Sequence, residues 1–131
     1  MPASNKLSFR KEERLCSRKL IDKLFCGGVS RSMTAFPLRA IYLLIEEGTD
    51  EGKVQVLVSV PKKQLKLAVK RNRVKRQVRE AYRRNKQILF DKLTPQKQLL
   101  IAFIWIDNQL HDSTNVQSKV VNLLNRIAER L

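Results

Sequence analysis

Basic residues are concentrated between residues 62 and 86, a stretch with 12 of the chain's 27 lysines and arginines and a single acid, Glu80. If this stretch is helical, with about 3.6 residues per turn, part of the cluster falls into one longitudinal stripe. Its members recur at intervals of about 5.4 Å, which is of the order of the phosphate spacing along a nucleic-acid strand. The pattern predicts a surface that neutralises the phosphates of a polyanion. The stripe consists of Asn72, Arg76, Arg79, Arg83 and Lys86, with Lys75 at its edge.

Arginine is more frequent than lysine in this helix, and this choice favours structured RNA as the ligand. A guanidinium group binds phosphate through two parallel hydrogen bonds and stacks on bases. Two other interpretations stay open from the residues alone. A merely solvated face would usually alternate charges at i,i+4 spacing, whereas this face repeats like charges. A membrane-surface helix would place Trp, Phe and Leu opposite the cations, whereas this one has Val74, Val78 and Ala81, with Tyr82 beside them.

Side chains that could catalyse a reaction are few. His111 is the only histidine, and its polar surroundings predict an ordinary surface residue. Asp107 and Asp112 flank it and could hold a metal ion, although such pairs of acids are common in loops. Cys16 and Cys26 are not part of a CxxC pair, which predicts two reduced thiols rather than a metal site or a disulfide. Because the common catalytic motifs are also missing, we expect no catalytic residue, metal or cofactor in the protein itself.

The charge imbalance extends over the whole chain. The 27 basic and 12 acidic residues give a formal net charge of +15. Such a field favours nucleic acid as the partner, with an anionic membrane surface second. The longest apolar run, residues 99–106, is shorter than the about 18 residues of a membrane span, and residues 1–15 lack the apolar segment of a signal peptide. We therefore expect a cytoplasmic protein with no membrane partner.

The elements that position the basic stripe follow from periodicity and turn residues. A short first helix should begin after Ser17 and end at Gly27-Gly28. Strands are predicted at residues 36–45, 54–60 and 97–107, with the first two paired antiparallel. Residues 68–89 should form one long helix. A final helix over the last part of the chain should begin at a cap, for which the candidates are Asp112, Ser113 and Thr114.

These elements predict a single α+β domain over residues 1–131, preceded by an extended, partly ordered arm at residues 1–14. The order is α-β-β-α-β-α, and the natural architecture is an α/β sandwich in which helices pack on a small sheet. The connection from the second strand through the long helix to the third strand is a crossover. The general rule for such connections predicts a right-handed one.

The basic helix also resembles a family motif. Residues 70–83, KRNRVKRQVREAYR, resemble the pattern R-N-R-x-K-R-x-x-R-E-x-[FY]-R of the bacterial ribonuclease P protein component. Residues 58–63, VSVPKK, are similar to the family's strand that ends in Val-x-Lys-Lys. Arg14-Leu15 and Leu24-Phe25, spaced before the two glycines, match the family's first-helix region. The resemblance covers about residues 9–131.

The resemblance implies the ribosomal protein S5 second-domain fold with a left-handed crossover, against the general rule. It implies a protein subunit whose partner RNA is the catalyst, uses Mg²⁺ and removes the 5′ leader of precursor tRNA. It also implies a cleft between the first helix and the sheet that holds the leader, with Phe25 and, with less support, Ile21 as its residues. Phe25 shares an apolar stripe with Leu20 and Leu24, so it could instead belong to the core. The RNA contacts implied or expected are Lys62, Lys63, Lys70, Arg71, Asn72, Arg73, Lys75, Arg76, Arg79 and Arg83.

Three positions depart from the family pattern. Leu57 and Leu65 stand where many members have glycine, and Ile21 stands where the first helix usually carries an aromatic residue. Two rival functions also fit the charge. One is a ribosomal or RNA-assembly protein with no part in cleavage. The other is a DNA-binding regulator, but a recognition helix for duplex DNA needs more base-reading side chains than Asn72 and Gln77.

Overall fold

The computed structural model describes residues 14–45, 53–93 and 97–131. Most of the expected N-terminal arm, and most of the segment between the strands predicted at residues 36–45 and 54–60, lie outside these residues. The elements, in chain order, are α1 (Arg18–Cys26), β1 (Arg31–Ala35), β2 (Leu38–Ile45), β3 (Lys53–Ser59), α2 (Ala68–Asn85), α3 (Gln87–Phe90), β4 (Gln98–Trp105) and α4 (Ser113–Ala128). The α+β class is confirmed.

The two ends of α1 and the start of α4 follow their predicted signals. The Ser17 side chain accepts a hydrogen bond from the backbone N–H of Leu20 at the start of α1, and Gly27 caps its end. A Cβ atom on Gly27 would lie 2.4 Å from the carbonyl oxygen of Lys23, so the close approach requires glycine. Asp112 is the cap of α4, because its carboxylate accepts from the N–H of Asn115 at 2.8 Å.

The sheet has the order β1-β2-β4-β3, and the predicted antiparallel pairing of residues 36–45 with 54–60 is wrong. β4 lies between β2 and β3, antiparallel to β2 and parallel to β3. The physical reason is burial: from Leu99 to Trp105, every residue of β4 except Ile104 is buried. Such a continuously apolar strand gains most from a central position covered on both faces. The expected crossover between β3 and β4 is present, and its hand stays a prediction.

β1 was not predicted. It forms an antiparallel hairpin with β2, in which Arg31 pairs with Tyr42 and Ala35 with Leu38. β1 lies at the edge of the sheet, and Arg31, Ser32 and Thr34 are exposed. Its alternating apolar residues are only Met33 and Ala35, which pack against the main core, and this alternation is too short to mark a strand in the sequence.

Helices cover both faces of the sheet. On one face α2, α3 and α4 enclose the main core, which includes Val74, Val78 and Tyr82 as expected. On the other face α1 covers a smaller core of Leu15, Leu24, Leu43, Leu100 and Ala102. Neighbouring β4 residues belong to different cores because successive side chains of a strand point to opposite faces. The sheet therefore separates α1 from the basic helix α2.

The predicted long helix is two helices. α2 ends at Asn85, whose side-chain amide donates to the carbonyl oxygen of Ala81 at 2.8 Å. α3 follows as one short turn, and its Leu89 is fully buried. Lys86 lies between the two helices and keeps right-handed helical backbone angles, φ −63° and ψ −20°.

Candidate nucleic-acid interface

Helix α2 presents its cationic face away from the core. Its buried residues are Val74, Gln77, Val78, Ala81 and Tyr82. No side chain caps its first turn, and that turn contains no acidic residue. The partial positive charge of the helix N-terminus therefore adds to the charge of the nearby basic side chains rather than being neutralised.

The predicted stripe forms one surface over most of its length. An open depression of about 360 Å³ is lined by Asn72, Lys75, Arg76, Arg79, Glu80 and Arg83. Lys75, Arg76 and Arg79 have no ion pair within residues 14–45, 53–93 and 97–131. These three side chains are thus available to an anion, and their crowding is a repulsion that a bound phosphate would relieve.

Glu80 changes the electrostatics of one end of this depression. Arg83 donates through Nε to Oε2 of Glu80 at 3.1 Å and through Nη2 to Oε1. Arg84 Nε donates to the same Oε1 at 2.9 Å. The hydrogen bond from Arg83 is the main cause that lowers the pKa of Glu80 to about 2, with Arg84 contributing. The spacing i,i+3 and i,i+4 could have revealed this pairing from the sequence.

Lys86 does not belong to the exposed stripe, and its assignment there is wrong. Only 4% of Lys86 is exposed. Lys86 is the residue between α2 and α3, and its side chain lies in the protein interior rather than on the exposed stripe. The stripe therefore ends at Arg83.

The other expected RNA contacts lie before and along the first turns of α2. Lys62, Lys63, Lys70 and Arg73 are exposed. Arg71 is half-buried, and its Nη1 donates to the carbonyl oxygens of Leu65 at 2.9 Å and Lys66 at 2.7 Å. Arg71 thus holds the basic loop against the start of α2. The sequence does not reveal this role, because the acceptors are backbone carbonyls of a loop.

The His111 region is a structural network, so the expectation of an ordinary surface histidine is wrong. The half-buried His111 ring contacts Oδ2 of Asp107 at 2.6 Å through Nε2, and Nδ2 of Asn115 at 2.8 Å through Nδ1. The Trp105 ring packs edge-on against it, with 5.4 Å between centroids. Gln77 of α2 donates to the His111 carbonyl oxygen at 3.1 Å. No cluster of three or more potential metal ligands occurs in the described residues.

The candidate leader residues lie on α1. Phe25 is 42% exposed, so it is not a core residue despite its apolar stripe. Ile21 is half-buried against the small core beneath α1. Both lie on the face of the sheet opposite α2. Cys16 and Cys26 are exposed free thiols, as predicted.

The fold and the basic surface define a small α+β protein suited to binding a polyanion. Within the described residues, no helix is long and apolar enough to cross a membrane. The model of the family Ribonuclease P matches residues 9–128. The chain therefore belongs to the ribonuclease P protein component family.

Two curated relatives carry that name. The ribonuclease P protein component of Porphyromonas gingivalis strain ATCC 33277 is 42% identical over 128 residues, which cover 97% of this chain and 90% of that protein. The Thermotoga maritima relative is 33% identical over 124 residues and covers 92% of this chain and 96% of its own.

Solved structures have the same fold. The RNase P protein from Thermotoga maritima aligns with a TM-score of 0.57 at 24% identity, covering 87% of this chain and 96% of that one. The Staphylococcus aureus RNase P protein aligns with a TM-score of 0.62 at 17% identity, covering 91% of this chain and 97% of that one. At these identities the likeness concerns the fold.

Proposed function

We propose that this chain is the protein subunit of ribonuclease P and assists removal of the 5′ leader from precursor tRNA. It binds the ribonuclease P RNA and the leader in the cytoplasm, and the RNA cleaves the phosphodiester bond with its own Mg²⁺ ions. The observation that carries the proposal is the family match over residues 9–128, which includes the basic motif on the exposed face of α2.

The α2 depression supplies the binding chemistry. Lys75, Arg76 and Arg79 stand along one face without acidic partners in the described part of the chain. Each phosphate that they neutralise releases condensed counterions, which is the main source of affinity for nucleic acid. The same neutralisation reduces repulsion between RNA segments. The protein therefore lowers the Mg²⁺ concentration that the RNA needs.

The geometry of the polar side chains supports the assignment of bond cleavage to the RNA rather than to the protein. Both ring nitrogens of His111 already contact a side chain, Asp107 on one side and Asn115 on the other. The Asp112 carboxylate caps α4. These groups stabilise the β4–α4 connection, and none of them is positioned as a general base beside the cationic depression.

The two-sided sheet supports binding of two RNA molecules at once. The α2 depression lies on one face and Phe25 lies on the other, on α1. Phosphate contacts on α2 would hold the ribonuclease P RNA, while the exposed ring of Phe25 would stack on a base of the leader. In this arrangement neither ligand blocks the other.

Cleavage by the reconstituted complex tests the function. Precursor tRNA, the ribonuclease P RNA and the protein are combined at limiting Mg²⁺, and the cleavage rate is followed. Arg76→Ala with Arg79→Ala should reduce the stimulation by the protein. Arg39→Ala with Lys92→Ala removes the same charge from exposed positions outside the depression and should retain most of the stimulation.

The rival functions give different results. A ribosomal or RNA-assembly protein would bind the RNA without accelerating cleavage. A DNA-binding regulator would release its RNA when duplex DNA is added as competitor. For this chain we expect precursor tRNA to compete far better than duplex DNA. Wild-type protein that binds the ribonuclease P RNA but leaves cleavage unchanged over the whole Mg²⁺ range would refute the proposal.

A further inference from the structure

A second cavity lies at the β1–β2 edge of the sheet, beside the end of α4. Arg31 begins β1 and pairs with Tyr42 of β2, so their side chains lie on the same face of the hairpin. Arg130 and Leu131 follow the end of α4, which packs over this face. Together with Val29, these residues enclose an open cavity of about 400 Å³, which Leu43 and Leu44 complete. Its lining shares no residue with the α2 depression.

The charged side chains of the cavity are both cations, Arg31 and Arg130. Arg31 and Arg130 are exposed, and within residues 14–45, 53–93 and 97–131 neither has a hydrogen bond or ion pair from its side chain. No acidic side chain lines the cavity. Two guanidinium groups beside one opening repel each other, and a phosphate that accepts hydrogen bonds from both removes this repulsion.

Tyr42 adds a polar group to the same lining. Only 4% of the residue is exposed, and its hydroxyl has no hydrogen-bond partner in the described structure. Buried polar groups of native proteins nearly always have a partner. The other lining residues, Val29, Leu43, Leu44 and Leu131, are aliphatic, and Leu44 packs on the same core as Tyr42. The cavity thus combines an apolar surface, a phenol without a partner and two cations.

We propose that this cavity binds one unpaired nucleotide of an RNA, with its phosphate on Arg31 and Arg130 and its base against the aliphatic wall and Tyr42. Its volume falls within the roughly 300–1,000 Å³ typical of small-molecule sites. Inorganic phosphate would leave the aliphatic wall uncovered, whereas a nucleotide uses both parts of the lining. The inference rests on the proposed function in one respect, because it takes RNA as the ligand.

Equilibrium binding with three RNAs tests the site: the ribonuclease P RNA alone, precursor tRNA and mature tRNA. Arg31→Ala with Arg130→Ala should weaken binding to at least one of them by roughly tenfold, because hydrogen bonds to a charged group are lost. The slope of log affinity against log salt should fall by about one phosphate contact, roughly 0.7–0.9. The control is again Arg39→Ala with Lys92→Ala, which should change affinity for all three RNAs to the same small extent.

Tyr42→Phe separates a binding role from a structural one. The substitution removes a buried hydroxyl without a partner, so thermal stability should stay equal or increase. Affinity for the same RNA should nevertheless fall several-fold, with the salt slope unchanged because no charge is lost. If affinity falls for precursor tRNA but not for mature tRNA, the bound nucleotide belongs to the leader. If affinity falls for the ribonuclease P RNA, the bound nucleotide belongs to that RNA.

Two results would overturn the proposal. One is an arginine double variant that matches its control on all three RNAs. The other is a Tyr42→Phe protein with wild-type affinity for every RNA. Either result leaves stimulation of cleavage through Arg76 and Arg79 intact, so a failure of this site is distinguishable from a failure of the proposed function.

Discussion

Replacing Phe25 by alanine should separate leader binding from assembly with the ribonuclease P RNA. Phe25 lies on α1, on the face of the sheet opposite the α2 depression. Its loss should leave affinity for the ribonuclease P RNA nearly unchanged. Loss of one stack between a base and an aromatic ring costs roughly 1–3 kcal/mol, so the complex should bind leader-bearing precursor about 5- to 150-fold more weakly.

The structure also sets the expected loss of stability. Because 42% of Phe25 is exposed, little more than half of its side chain is buried. Full burial of a phenylalanine is worth about 1.5–3 kcal/mol, so Phe25→Ala should lower the free energy of unfolding by roughly half of that. Leu24→Ala, one residue away and 1% exposed, should lower it by about 2–5 kcal/mol. Urea denaturation of both variants checks this difference.

The assay compares three substrates: precursor tRNA, a precursor trimmed of its leader, and mature tRNA. The defect of Phe25→Ala should occur only with the leader-bearing substrate. Phe36→Ala is the matched control, because Phe36 is 55% exposed and lies in the β1–β2 turn, away from α1. A Phe25→Ala protein that loses stability but binds all three substrates as its parent does would refute the cleft assignment.

Three further predictions concern charge and the division of labour between protein and RNA. Log affinity for the ribonuclease P RNA should fall steeply with log salt, and Arg76→Ala should reduce the slope by about one; a wild-type slope near zero would contradict the electrostatic account. His111→Ala should lower the melting temperature, since the ring joins Asp107 to Asn115, but cleavage at saturating protein should stay within a few-fold. A loss of many orders of magnitude with intact RNA affinity would place the chemistry in the protein. Because its arginine partners lower the pKa of Glu80 from 4.5 to about 2, its ionised form contributes stability above the unfolded-state pKa, and this contribution is lost as pH falls through about 2. Urea denaturation at a series of pH values compares wild type with Glu80→Gln. The difference between their free energies of unfolding should be constant near neutral pH and shrink as the pH falls from 4.5 to about 2. A difference that does not change with pH would show that the ion pair contributes nothing.

Local sequence was sufficient for the elements whose pattern is periodic over consecutive residues. The apolar positions of α2, including Val74 and Val78, repeat at helical spacing, so their burial and the exposure of Arg76 on the opposite side were predicted correctly. The start of α1 at Ser17 and the candidate caps of α4 were predictable because a capping side chain bonds to a backbone group only a few residues away. The cationic face, which the proposed function needs most, belongs to this group.

The features that the sequence did not reveal depend on contacts between distant segments. The strand order could not be predicted from local sequence. β4 pairs with both β2 and β3 because it is the strand that gains most from burial on both faces. The burial of Lys86 depends on packing at the α2–α3 junction, and the role of Arg71 depends on where two loop carbonyls lie. Sequence alone thus determined the basic helix and its cationic face, since side-chain spacing sets both. Only the tertiary structure decided which side chains share a cavity and that the α2 depression and Phe25 lie on opposite faces of the sheet, because strand pairing and helix packing place residues together that are far apart along the chain.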